Sequence, residues 1–370
     1  MELVVHKNDL LRELQLFQGI VERKNTIPIL ANVLIETDSK MVRFLATDLE
    51  VALRSQCEAT VNKGGSLTIP AKKFFEIVKS LPDGSDVRIA SDKSGVKIAA
   101  ERFDSRMQTL PKEDFPALPE GGKGHNVTLP RAALRQMIAK TQFAITGEDT
   151  RFFLNGALFV LRSKEMSLVA TDGHRLALVT VARDGEGGED EESKAILPKK
   201  TLNELGRLLS DGEGDLMYER GENHLFFQVG DRTLVSRMID GQFPTYERVI
   251  PKNNDKRIEF ERDRLTNAVK RVALLSNERS RAVKFQIDKG KVDVTSSSPE
   301  LGEAHETLPV DYSGGAVQIC FNAQYVLDFL ASVETDVVAL ELKDEVSQAV
   351  ATPVGAEGYD YTYVIMPMRV

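Results

Sequence analysis

A chain of 370 residues, 42% of them hydrophobic, is long enough for two or three domains that each bury a core. Its two cysteines, Cys57 and Cys320, lack any metal or disulfide spacing, which excludes a disulfide scaffold and suggests small buried thiols in a reducing compartment. No apolar run approaches a membrane span, and MELVVHKNDLLREL has charges where a signal peptide needs an apolar core, so a cytoplasmic location is expected.

In chain order, MELVVHK reads as a strand, and Asn8 or Asp9 caps a helix with Leu10, Leu11, Leu14 and Phe17 on its apolar face and Gly19 at its end. A loop with Arg23 and Lys24 leads through Pro28 into the alternating strand ILANVLIE. The stretch FLATDLEVALRSQC then reads as strand, turn, strand, with Thr47 and Asp48 at the turn. Pro70 opens a second helix that turns Phe74, Phe75, Ile77 and Val78 inward, and Pro82, Asp83 and Gly84 stop it. Alternating strands follow in DVRIASD, GVKIAAE and RMQTL.

The same order returns about 124 residues later, and a repeat governs the architecture. LVATDGHRLALVTV repeats the first Thr-Asp stretch, with Thr171 in the place of Thr47. NDLLRELQLF returns as RAALRQMIAKTQF and, less closely, as DRLTNAVKRVALL. LTIPAKKFFEIVKSLPDG returns as AILPKKTLNELGRLLSDG and faintly as VQICFNAQYVLDFLASVE. One module is therefore used three times, with boundaries at 1–120, 126–250 and 251–370. Helix followed by several strands argues for α+β with antiparallel sheet. The acidic, Gly-rich run at 183–193 reads as a solvated hairpin loop.

Although the net charge is -8, basic residues predominate on the helices: Lys72, Lys73, Lys79, Arg131, Arg135, Lys140, Lys199, Lys200, Arg207, Arg262, Arg264, Lys270 and Arg271. Basic helices on an acidic protein can meet a polyanion while other surfaces repel it. Ordinary solvated helix faces would look the same. Asp172, His174 and Arg175 lie close together, yet no nucleophile elbow, metal spacing or phosphate loop accompanies them, so catalysis is not expected.

TIPILAN, ATDLE, IPAKKFFEIVKSLP, RFFLNGALF, VATDGHRLA, DGQFPTYERVIPKN, LLSNE and VIMPMRV together resemble the bacterial sliding-clamp family, the β subunits of DNA polymerase III. The resemblance is collinear over essentially the whole chain. It implies three DNA-clamp domains per chain and a head-to-tail homodimer, with helices lining a ring around duplex DNA and antiparallel sheets outside. It also implies a non-catalytic processivity factor without cofactor or metal, which tethers polymerase, clamp loader and repair proteins through short linear motifs and reads no DNA sequence.

By the same resemblance a peptide groove falls to Leu154, Thr171, Gly173, His174, Arg175, Leu176, Pro244, Arg248 and Val249, with Asn322, Tyr325, Val346, Val364, Met366, Pro367, Met368 and Arg369. Aliphatic walls and adaptable methionines suit Leu and Phe anchors. In YDYTYVIMPMRV the parity of Val364, Met366 and Met368 opposes that of Tyr359, Tyr361 and Tyr363, so one set can face the sheet interior and the other a cleft. DNA contacts are expected from Arg23, Lys24, Lys72, Lys73, Arg151, Phe152, Phe153, Lys199 and Lys200, with core packing open for one of the phenylalanines. The ring joint implied by the family brings Met107 near Leu274 and Leu275, with Glu300, Glu303 and Glu306 facing Arg102 and Arg106. The other readings are a DNA-end accessory factor without a ring and a hydrolase using Asp172 and His174.

Overall fold

A computed structural model of the chain describes residues 1–21, 26–92, 95–122, 124, 126–147, 149–184, 192–210 and 214–369. Among them are six α-helices: α1 (Lys7–Leu16), α2 (Ala71–Ser80), α3 (Arg131–Thr141), α4 (Lys199–Leu208), α5 (Arg262–Ala273) and α6 (Ala323–Ser332). All strand pairings among these residues are antiparallel, so the fold is α+β as expected. No helix of the described residues is long and apolar enough to cross a membrane.

The first helix illustrates how local sequence sets the elements. Leu10, Leu14 and Phe17, three or four apart, are fully buried, and Phe17 meets Phe44 with ring centroids 6.4 Å apart. The helix starts one residue before the expected cap, at Lys7, and His6 occupies the N-cap without a side-chain hydrogen bond. It ends at Leu16, and Gly19 serves packing instead: a Cβ there would lie 2.1 Å from Glu204 Oε1. In α2, Phe74 and Val78 are buried, whereas Phe75 and Ile77 are half-buried.

By its internal contacts the chain divides into two compact units that cut across the repeats: Met1–Arg135 with Lys200–Met238, and Gln136–Lys199 with Ile239–Val370. The sheets explain this. Within the first unit an eight-stranded sheet runs Ser66–Pro70, Asn32–Asp38, Met41–Thr47, Val51–Glu58, Arg232–Arg237, His224–Val229, Asp215–Arg220, Asn126–Pro130. Within the second unit, another runs Ser193–Pro198, Gly156–Leu161, Glu165–Thr171, Arg175–Ala182, Asp360–Ile365, Ala349–Pro353, Val337–Leu342, Lys256–Glu261. The two orders correspond strand for strand. Each joins the first strands of one repeat to the last strands of the next, through Val51–Glu58 with Arg232–Arg237 and through Arg175–Ala182 with Asp360–Ile365.

Two smaller sheets remain. One has five strands and ends in the edge strand Phe103–Met107; the other has four and ends in the edge strand Gly302–Pro309. By the repeat, these edges are the counterparts of the strands that pair at the two junctions just described.

Candidate functional site: a turn, a strand and a tail

The second Thr-Asp turn is a closed hydrogen-bonded unit. Thr171 Oγ1 donates to the Arg175 carbonyl (2.6 Å) and accepts from Gly173 N (3.1 Å), while Asp172 Oδ1 accepts from His174 N (2.9 Å) and Arg175 N (3.0 Å). Gly173 has φ +87°, a conformation natural to glycine. Asp172 thus organises backbone, and no bond links it to the His174 ring. The acid-base reading of this pair has no geometric support.

Arg175, expected in the groove, is enclosed by partners from its own chain. Its Nε donates to Asp172 Oδ2 (3.0 Å), Nη1 to Asp328 Oδ2, and Nη2 to the Phe143 carbonyl (2.7 Å). The guanidinium lies 4.4 Å from the centroid of the Tyr325 ring and 5.3 Å from that of Phe143. Burial opposes its charge, but Tyr363, Asp328 and Asp172 more than offset that cost and raise its pKa above the ordinary arginine value. With only 9% of its side chain exposed, Arg175 is a clasp between strand and α6, not a free rim donor. Asp328 and Phe143, which complete the clasp, carry no motif that sequence reading could have found.

Leu176 and Val364 are direct partners across the junction strands. They belong to a buried cluster with Leu158, Val160, Val169, Ile196 and Tyr246, flanked by Phe153, Phe243 and Ile250. The parity argument therefore holds for the tyrosines: Tyr361 and Tyr363 are buried, with Phe329 stacked on Tyr363 at 5.2 Å. It fails for Val364, which is 1% exposed and lies in the floor of the site, because the segment around Tyr246 covers that face. Leu154 is buried as well. Exposed apolar surface comes from Val249, Val346 and Met366, beside half-buried Pro244, Pro367 and Met368 and exposed His174, Arg248 and Arg369.

The tail is held by its backbone: Met366 N donates to the His174 carbonyl (2.9 Å) and Met368 N to that of Cys320 (2.8 Å). Asn322 is an N-cap whose Oδ1 accepts from Gln324 N (2.8 Å), and so its side chain is also committed. Val346, Met368 and Arg369 border an open pocket of about 850 Å³ over the four-stranded sheet, where Lys284, His305 and Cys320 also project. Burial raises the pKa of the Cys320 thiol.

The expected DNA contacts are scattered. Arg23 and Lys24 lie outside the described residues. Arg151 is held by both oxygens of Asp149 (2.9 and 2.7 Å), and that hydrogen bonding lowers the Asp149 pKa to about 2. Phe152 is 73% exposed, whereas Phe153 packs on the buried cluster. Lys73 reaches Glu76 on the exposed surface of α2, and Lys72 is half-buried. Lys199 Nζ donates to the Ile145 carbonyl (3.0 Å), and Lys200 pairs with Asp48 and donates to the Ile20 carbonyl (3.3 Å). These last two are structural cations, contrary to expectation. So are two helix cations: Arg131 donates to the carbonyls of Leu208 and Leu209, and Lys140 is buried against Tyr359 and Tyr361, donating to Ser332.

At the expected joint, Leu274 is 76% exposed and Leu275 and Met107 are half-buried. Glu300 and Glu303 are exposed. Glu306 instead pairs within the chain with Arg271 (2.6 Å), and Arg106 with Asp92 (3.3 Å).

The chain matches three domain families over nearly its whole length: DNA polymerase III beta subunit, N-terminal domain (1–119), central domain (128–245) and C-terminal domain (247–369). It belongs to the DNA polymerase III beta subunit family. It is 38% identical to the beta sliding clamp of Pseudomonas putida and 35% identical to that of Escherichia coli K12, with 100% of both chains covered in each case. A crystal structure of the Pseudomonas aeruginosa sliding clamp bound to griselimycin has a TM-score of 0.94 at 36% identity, again with 100% of both chains covered. Three DNA-clamp domains and a non-catalytic sliding-clamp function in DNA replication follow from this membership, and the hydrolase reading falls.

Proposed function

We propose that two copies of this chain close head to tail into a ring around duplex DNA, with domain boundaries at 1–120, 126–250 and 251–370. The observation that carries the reading is the unequal sheets. Two complete eight-stranded sheets lie within the chain, and the five- and four-stranded sheets are the two halves of a third, less one extra strand, Thr60–Lys63. Pairing Phe103–Met107 of one copy with Gly302–Pro309 of the next repeats the junctions already made inside the chain and leaves neither edge open. Exposed Phe103, Leu274 and Leu301 at these half-sheets supply apolar surface for that joint, with Met107, Leu275, Glu300 and Glu303 around it.

The groove at Leu154, Thr171, Gly173–Leu176, Pro244, Arg248, Val249, Asn322, Tyr325, Val346, Val364 and Met366–Arg369 then takes short linear motifs of polymerase, clamp loader and repair proteins in the cytoplasm. Val249, Val346 and Met366 supply the apolar contact and His174 the free polar edge; Arg175 and Asn322 hold the frame. Duplex DNA is held without sequence reading by exposed helix cations such as Lys73, Arg264 and Lys270.

Retention on DNA tests the ring. After loading, the protein should survive a salt wash on a closed circle and leave when the circle is cut, because ionic contacts weaken by on the order of 10³ with salt while a topological link does not. Equal loss from circular and linear DNA would exclude encirclement. A Leu274→Ala, Leu275→Ala double variant that sediments as a dimer of undiminished strength would exclude the joint.

A further inference from the structure

The repeat that builds the groove also builds a smaller copy of it, and nothing in the sliding-clamp reading uses that copy. In the first unit, Thr47 Oγ1 donates to the Val51 carbonyl (3.0 Å) and accepts from Leu49 N (2.9 Å), while Asp48 Oδ1 accepts from Glu50 N (2.9 Å) and Val51 N (2.7 Å). These are the bonds of Thr171, Asp172, Gly173, His174 and Arg175, atom for atom. The strand pairing matches as well: Ala52 faces Val235 as Leu176 faces Val364. A Phe-Pro segment flanks both, Phe115 and Pro116 here, Phe243 and Pro244 there. Between turn and segment lies a pocket of about 180 Å³ bordered by Leu49, Glu50, Ala52, Leu118, His224 and Val235.

Two differences say what the copy would hold. Leu49 stands where the groove has Gly173, at φ +80° and 51% exposed, so a large apolar side chain is kept in solvent in a backbone conformation that leucine resists. The rim is also of opposite character, with Glu50, 61% exposed and 3.8 Å from Arg237, in place of His174, and Val51 in place of Arg175. The other charges nearby are committed: Asp48 to Lys200, and Arg54 to the carbonyls of Leu118 and Pro119.

We infer that this pocket is a second docking point for a partner protein, taking one aliphatic side chain that has a lysine or arginine beside it in the partner's sequence. The volume is below that of a pocket for a drug-sized ligand and suits a single side chain. The apolar contact comes from Leu49, Ala52 and Val235, and the cation pairs with Glu50, whose exposed contact with Arg237 at 3.8 Å is too long for a hydrogen bond. The inference stands apart from the peptide groove, since every residue that borders this pocket lies in the first unit.

The test is photo-crosslinking of the full-length protein with the capped peptide Gly-Lys-photoleucine-Val-Lys-Gly, mapped by mass spectrometry, with a Glu-flanked peptide as control. Crosslinks should fall on residues 47–52 and 116–119, and the control should give at least tenfold less. Ala52→Trp, which fills the pocket, and Glu50→Lys, which reverses the rim on a folded surface, should each lower the yield at least tenfold. Excess of a short peptide with the Leu and Phe anchors expected of the groove's ligands should leave it unchanged. Crosslinks elsewhere, indifference to Glu50→Lys, competition by the groove peptide, or capture of a second copy of the chain in place of the peptide would each overturn the assignment.

Discussion

In the turn at 47–51 the second oxygen of the aspartate reaches a lysine far along the chain, Lys200; in the turn at 171–175 it reaches the arginine of its own turn, Arg175. The backbone bonds are the same in both, so the turn itself does not set what kind of surface it builds. What differs is the residue that follows. Val51 is an ordinary buried aliphatic, whereas Arg175 brings α6 and the Phe143 segment onto the turn and so positions the exposed His174 beside the tail. A repeated scaffold thus acquires different surfaces by changing what is clasped, not how the chain bends.

Removing the clasp should give the largest effect. Arg175→Ala leaves Asp172 and Asp328, 15% and 22% exposed, without their cation. Breaking such a pair costs about 3 kcal/mol or more. The matched change Val51→Ala removes two methyl groups, about 0.8 kcal/mol each. Urea unfolding of both variants measures the difference, and peptide binding should fall only with Arg175→Ala. Equal destabilisation would mean that the two turns carry equal weight.

Much of this was legible in the sequence, and the limits have a physical cause. The three-fold repeat was readable as self-similarity at an offset of about 124 residues, and α1, α2 and the Thr-Asp hairpins because each rests on contacts within a few residues. The eight-stranded sheets were not, since the pairing of Val51 with Ser236 spans two repeats and leaves no local pattern. For the same reason Arg131, Lys140, Lys199 and Lys200 read as solvated helix cations: periodicity gives a face, but whether a carbonyl awaits the ammonium is decided by distant chain. Among the groove residues, Val249, Val346 and Met366 appear as exposed apolar groups, while Arg175 and Asn322 are framework.

High pH should separate the units next. Tyr361 and Tyr363 lie beside the Arg175 clasp, and burial raises both pKa values above the usual 10. Below pH 10 folded and unfolded chains both keep these protons, and the stabilising contribution is fully present. Above it only the unfolded chain releases them, so stability falls by about 1.4 kcal/mol per proton and pH unit, or about 2.7 for the pair. Lys140, whose pKa burial lowers from 10.5, opposes this by at most one proton below that value. In the first unit Tyr218 behaves in the same way, and each unit holds one thiol that burial raises, Cys57 up to about 12 and Cys320 above its ordinary value, so loss begins nearer pH 9 in both. Hydrogen exchange between pH 8 and 11 should find amides of both units weakening from about pH 9 and second-unit amides weakening more steeply above pH 10. Tyr363→Phe should flatten the second slope; an unchanged slope would mean that the ring does not titrate on unfolding.

The smallest effect is the most discriminating, because it exchanges the one residue by which the two turns differ in backbone economy. Leu49 holds φ +80° where Gly173 holds +87°. Relieving a non-glycine residue of that conformation gains on the order of 1 kcal/mol, and glycine gives back part of it through the larger entropy of the unfolded chain. Leu49→Gly should therefore be neutral to about 1 kcal/mol stabilising, although it deletes a leucine. Gly173→Leu should be destabilising by a similar amount, with its Cβ 3.4 Å from the Arg151 guanidinium. Thermal unfolding of the two single variants and the double exchange measures this. Stabilisation by Leu49→Gly together with loss of the crosslink at residues 47–52 would mean that the leucine is retained at a cost to the fold, which is the mark of a residue kept for contact. Destabilisation by more than about 1 kcal/mol would mean instead that Leu49 belongs to the core of its own turn.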